Sequence, residues 1–276
     1  MTSAIYYEET QALVQTFSQE DQAYFQDLWD YFNFAGFLYE EKALREQVYN
    51  LALDFSQASG DGLTAKDYFG QDPKGMADQI LENMPKESTR SVLKYGALVS
   101  GIVIFYRLLS DFASQAVLVL KPLVYLTDAI LGLLAVGLLF YLLRRLIFAE
   151  EKSKKAIYVA VVLVLGIYLI SEIVGVRFLP AFAWLTVPSP WDSFLMTGAC
   201  GALILWQWKE EFARAFIFPI LSFLVVGFLH RWTLAQGIQN STMTIILPTV
   251  IIVIGLITYY LFTIRALKKN KTENGE

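Results

Sequence analysis

Two hydrophobic rhythms divide the chain. In residues 1–90 the apolar side chains recur at helical intervals. Tyr24, Phe25, Leu28, Trp29 and Phe32 follow i, i+1, i+4, i+5 and i+8, which lays one stripe along a helix. Ser18, with Asp21 three residues on, resembles a capping box at its start, and Gly36 is a natural stop. A second stripe runs through Leu44, Val48, Leu51, Ala52 and Phe55 and ends near Gly60. A further helix is predicted from Asp72 as N-cap and Pro73 in the first turn, with Met76, Ile80 and Leu81 on its apolar face. No strand-like alternation interrupts this segment. It reads as a bundle of three or four helices.

From residue 91 the stripes give way to long apolar runs. Crossing ~30 Å of hydrocarbon takes roughly 20 mostly apolar residues. Six runs qualify, at about 92–112, 118–142, 156–176, 191–208, 212–230 and 245–265. The first is interrupted by Arg107 and the fourth is short. The fold class expected is therefore all-α: a polytopic helical membrane protein with an N-terminal cytoplasmic helical bundle. The domains are 1–90 and 91–276, the second ending in a basic tail.

Loop charge supports the count. With the N-terminus inside, the inner flanks of six spans carry fourteen Lys and Arg, from Lys86 to Lys271. The outer flanks carry three: Lys121, Arg177 and Arg231. Short cytoplasmic loops collect basic residues, so both termini are expected in the cytoplasm and the chain in the cell membrane. The start, Met-Thr-Ser-Ala-Ile-Tyr-Tyr-Glu-Glu, has neither the basic region nor the apolar core of a signal peptide.

Composition sharpens the division. Mean hydropathy is +0.45 and 55% of residues are hydrophobic, which excludes disorder and a coiled coil. The net charge of -4 hides an asymmetry. Residues 1–90 hold 16 acidic and 6 basic side chains, whereas 91–276 hold 10 and 16. An acidic domain argues against direct nucleic-acid contact. One cysteine, Cys200, and one histidine, His230, supply neither a disulfide nor a metal site, and no metal or cofactor is expected.

One stretch of the bundle is more specific. From Asp61 to Pro73 the chain combines a glycine turn at Gly62, a Thr64 cap with Asp67 three residues on, and Gly70 ahead of an Asp72-Pro73 helix start. Physically this is two tight helix starts, with Phe69 plugged into the bundle. The aspartate spacing lacks the Asp-x-Asp-x-Asp-Gly of a calcium loop. Taken together, Gly62, Thr64, Ala65, Asp67, Phe69, Gly70, Asp72 and Pro73 are similar to the signature of the HAAS-type helical domain. That domain occurs in membrane proteins, mainly of Gram-positive bacteria, often associated with PadR-type transcription regulators. The likeness covers roughly residues 20–85. The layout of this domain ahead of about six spans resembles a Gram-positive membrane protein family of unknown function. The resemblance implies a signalling or interaction role and supplies no catalytic residues.

Ionisable residues at membrane depth are functional candidates. Arg107 and Asp128 both count to mid-membrane in the expected spans and are read as a buried ion pair, either fixing two helices or relaying a proton or ion. Glu172 and His230 fall near the outer ends of their spans and are read as wetted, or as a pH-responsive contact. Gly198-x-x-Gly201 is a small-residue patch suited to close helix contact. The segment from Arg177 to Trp191, with three prolines, is read as an outer interfacial loop. No Walker lysine loop, Gly-x-Gly-x-x-Gly, His-Glu-x-x-His or Gly-x-Ser-x-Gly occurs. The leading expectation is a non-enzymatic signalling or scaffold protein whose partners are the bilayer and a cytoplasmic protein. The alternative is a small transporter or channel component built on Arg107 and Asp128.

Overall fold

The computed structural model describes residues 1–70, 72–178, 185–208 and 211–273, leaving aside the side chains of Phe37, 172–178, 211–212 and 267–273. It divides into two compact units. One comprises Met1–Ser100 with Ile130–Gly175, the other Gly101–Ala129 with Val176–Glu276.

The first unit opens with α1 (Ser3–Val14), α2 (Gln19–Ala35), a 3-10 turn (Gly36–Leu38), α3 (Glu41–Gly60), α4 (Ala65–Phe69) and α5 (Pro73–Asn83). The bundle thus has five helices, α1 and the short α4 adding to the stripes read from sequence. The hydroxyl of Ser18 accepts from Asp21 N and donates to its Oδ2 at 2.6 Å. The other oxygen of Asp21, Oδ1, accepts from the backbone N of Ala65 at 2.7 Å and ties the start of α2 to the start of α4. Thr64 and Asp67 form a full capping box, and Asp72 Oδ1 caps Gly75 N at 2.9 Å. Gly70, at φ +95°, makes the reversal between α4 and α5 in backbone space that side chains with a Cβ avoid. The predicted stripes point inward, with Phe25, Leu28, Phe32, Val48, Ala52 and Phe55 nearly inaccessible to solvent. Phe69 packs against Phe25 and Phe55 as expected.

Long helices follow: α6 (Thr89–Ser114), α7 (Pro122–Ile147) and α8 (Glu151–Phe178). Next come α9 (Trp191–Gln207), α10 (Glu211–Arg214), α11 (Ile217–Ala235) and, after a π-helical turn at Thr242–Ile246, α12 (Leu247–Glu273). Among the described residues, five helices are long and apolar enough to cross a membrane, so the chain is an all-α membrane protein. The fourth expected span is the exception: α9 has 17 residues, ~25 Å at 1.5 Å per residue.

The expected start of the second span also changes. Residues Leu118–Leu120 form β1, antiparallel to β2 (Leu185–Val187), and α7 starts only at Pro122. Proline supplies no backbone donor, so it suits the first helical turn. β2 also occupies part of the expected irregular loop, of which residues 179–184 lie outside the described residues. The second unit packs Leu109, Phe112, Leu118, Met196, Cys200 and Ile220 into an apolar cluster.

Candidate functional site: ionic clusters built around arginines

Arg107 and Asp128 are brought together in the second unit, with Nη1 and Oδ2 3.7 Å apart. They belong to a larger network. Asp111, one turn beyond Arg107 on α6, accepts from Lys121 Nζ at 3.2 Å and from the Tyr125 hydroxyl at 3.0 Å. Its Oδ1 also accepts from Gln115 at 2.9 Å and lies 4.0 Å from Arg107 Nε. Among the described residues, two cations and two carboxylates thus share one buried site. Each charge is expensive to hide alone, and the pairing offsets that cost.

Arg107 lies seven residues before the end of α6 and Asp128 six after the start of α7, so each is ~10 Å from the helix ends that flank β1.

The structure adds a second buried pair. Arg231, expected in a loop, lies inside α11, because α11 continues to Ala235. Its Nε and Nη2 donate to Asp192 Oδ2 at 3.0 and 2.6 Å. Nη1 donates to the carbonyl O of Phe112 at 2.7 Å, and the guanidinium lies 3.7 Å from the centre of the Phe112 ring. Asp192 is in the first turn of α9, so α9 and α11 run antiparallel. Gly227 allows Phe112 to reach this site: a Cβ there would fall on the Phe112 ring and 3.2 Å from its carbonyl O.

A third arginine acts in the first unit. Arg144, in the last turn of α7, donates to the Tyr31 hydroxyl at 2.7 Å and to Asp78 Oδ1. Its guanidinium is 4.8 Å from the Tyr31 ring centre. Lys74 Nζ donates to the other Asp78 oxygen at 2.8 Å. Burial alone would raise the Asp78 carboxyl, but hydrogen bonds from Lys74, Tyr31 and Arg144 outweigh it and hold it below its ordinary value. Phe148 stacks at a tilt on Tyr31, 5.1 Å between centres, and Phe140 meets Phe34 edge-on at 5.9 Å. The acidic bundle is therefore docked on the basic end of α7.

The side chain of Glu172 lies outside the described residues. His230 is half-buried in α11, and its carbonyl O accepts from Thr233. Gly198 and Gly201 face open space, whereas close approaches occur at Gly227 and at Gly255, where a Cβ would come 3.3 Å from Phe218 O. Gly62, Thr64, Ala65, Asp67, Phe69, Gly70, Asp72 and Pro73 cap and turn the helices around α4, and Ala65 is fully buried. No group of three or more His, Cys, Asp or Glu is placed to hold a metal among the described residues.

No family model, curated protein or solved structure matches the chain significantly. The geometry therefore carries the functional reading. The three clusters are made of ion pairs and hydrogen bonds between elements. Chemically they can lock helices, or release them when a partner or proton competes.

Proposed function

We propose that the chain is a non-enzymatic signalling or scaffold protein of the cell membrane, in which the cytoplasmic bundle reports the state of the spanning helices to a protein partner. The observation that carries this reading is the Arg144 clamp. It joins Tyr31 and Asp78 of the bundle to the last turn of a helix long enough to cross a membrane. A displacement of that helix end would act directly on two bundle helices, α2 and α5.

Both termini are assigned to the cytoplasm. The pairing of the basic end of α7 with the acidic bundle supports this. So does the fate of two of the three outer cations, Lys121 and Arg231, which are buried against Asp111 and Asp192. Neutralised in this way, they hardly count as outer loop charge, and the excess of basic residues on the inner side becomes steeper. Six crossings remain the assigned number, with α9 lying antiparallel to α11. The likeness to the HAAS-type domain supports the interaction role of the bundle.

The test is proximity labelling from the N-terminus in intact cells, comparing the parent with Arg144→Ala. The expected outcome is a two- to fivefold change in labelling of specific partners, the range that about 0.5–1 kcal/mol of half-exposed ion pair sets. An identical set of partners at identical intensity would overturn the coupling.

A further inference from the structure

The first unit contains a crevice of about 910 Å³, within the 300–1,000 Å³ typical of ligand sites. One wall comes from the bundle, through Trp29, Phe32 and Leu44, and the other from α6 and α7, through Val99, Leu133 and Val136. Its charged lining residues are Glu41, Arg45 and Glu87. They gather at one end. Glu87 lies two residues before the start of α6, and its backbone N donates to Leu38 O at 2.8 Å, next to the start of α3, where Glu41 lies. Arg45 Nε donates to Glu41 at 2.9 Å, and its guanidinium also lies over the rings of Tyr7 and Trp29. From that polar mouth the lining along α6 runs to Ser100, eleven residues into the helix, or ~17 Å. Gly96 and Gly137 line the deep part, and a Cβ at either would meet nothing within 4 Å.

We propose that this crevice binds one bilayer lipid, its acyl chain between α6 and α7 and its headgroup at Glu41, Arg45 and Glu87. Three observations select this occupant. One wall belongs to two helices long enough to span a membrane, so hydrocarbon chains are at hand beside that wall. The charged residues gather at one end and the rest of the lining is mostly apolar, as in an amphiphile. At the mouth two carboxylates face one guanidinium, so the favoured headgroup carries an amine rather than net negative charge. A phosphate fits Arg45, and an ammonium fits the carboxylates.

The experiment uses the full chain reconstituted in nanodiscs containing a phospholipid with an ethanolamine headgroup and a diazirine on its acyl chain. After irradiation the adducts are mapped by mass spectrometry. The expected result is dense labelling of residues 92–100 and 133–140, which falls about fivefold or more in Gly137→Leu while adducts on α12 stay constant. A Cβ at Gly137 meets nothing within 4 Å, and Gly137 lines the crevice, so the larger side chain takes up space there. Gly96→Leu on α6 is the second variant, with the same expectation. Labelling no denser than on α12, or unchanged in both variants, overturns the site. A probe with a glycerol phosphate headgroup is expected to label several-fold less, and equal labelling overturns the headgroup assignment. Chain-to-chain cross-linking through Leu93→Cys at the expense of lipid adducts would show that a second copy fills the crevice instead.

Discussion

Arg144 and Arg231 are built alike. Each donates to one aspartate, and each lies over an aromatic ring, Tyr31 in one case and Phe112 in the other. They differ in access to water. The side chains of Arg144 and Asp78 are 36% and 30% exposed, those of Arg231 and Asp192 12% and 0%. For the exposed pair, water replaces a lost partner, so the contact is worth little and can be released. For the buried pair nothing replaces the partner, so the contact acts as a lock. The same chemistry therefore gives a releasable joint in the unit that holds the bundle, and a fixed joint in the unit that holds β1 and β2.

The largest effect expected from breaking this comparison is at Arg231. Arg231→Met leaves Asp192 buried beside only its own first-turn donors, at a cost of about 3–5 kcal/mol. Membrane abundance and thermal stability in detergent are expected to fall sharply. The double variant Arg231→Met with Asp192→Leu is expected to recover most of the loss, since removing both charges removes the desolvation cost. If the single variant is as stable as the parent, the pair is not a lock.

The network around Asp111 is next. Asp128→Asn keeps the shape and removes the carboxylate charge that pairs with Arg107. A loss of about 1–3 kcal/mol is expected, read as reduced membrane abundance. Asp111→Asn is expected to cost more than Asp128→Asn, because Asp111 also accepts from Lys121, Tyr125 and Gln115. Equal losses would mean that the two carboxylates are interchangeable and that these contacts add nothing.

The legibility of these sites follows the range of the forces involved. The bundle stripes are readable because Phe25, Leu28, Val48 and Phe55 repeat at the helical period, and burial follows that period. The caps at Ser18, Thr64 and Asp72 are readable because they act within three residues. Arg107 and Asp128 stand out because charge within an apolar run is costly. Asp111 has a local signal, one turn from Arg107, but its nearness to the end of the run masks it. Arg231 with Asp192 and Arg144 with Asp78 are 39 and 66 residues apart, so neither partner announces the other. Hydropathy ends the helix at His230 and so puts Arg231 in a loop, whereas the buried carboxylate lets α11 continue with an arginine inside.

At the exposed joint the mutational effect is smaller. Arg144→Ala is expected to cost about 0.5–1 kcal/mol and to leave membrane abundance unchanged. Hydrogen exchange in α5 and at the Tyr31 end of α2 is expected to speed up a few-fold, with no change around Asp192. A spread of faster exchange into the second unit would break the distinction between the two joints.

The gentlest probe of the same joint is pH. Asp78 is held below its ordinary value of 3.8, so its ionised form is favoured in the docked bundle. The sign follows from linkage. A carboxyl whose value is lowered by folding stabilises fully above its unfolded value, and that contribution disappears as pH falls through the lowered one. Between pH 8 and 5 the joint is therefore expected to be insensitive to acid. Below 3.8 it should weaken progressively, read as a change in the fluorescence of Trp29 and faster exchange at Tyr31. In Asp78→Asn this acid-dependent component should be absent, while Lys74 and Arg144 lose their anionic partner at every pH. An identical acid response in the parent and in Asp78→Asn would assign the titration to another carboxylate of the acidic bundle, leaving Arg144 as a contact of shape and ring stacking alone.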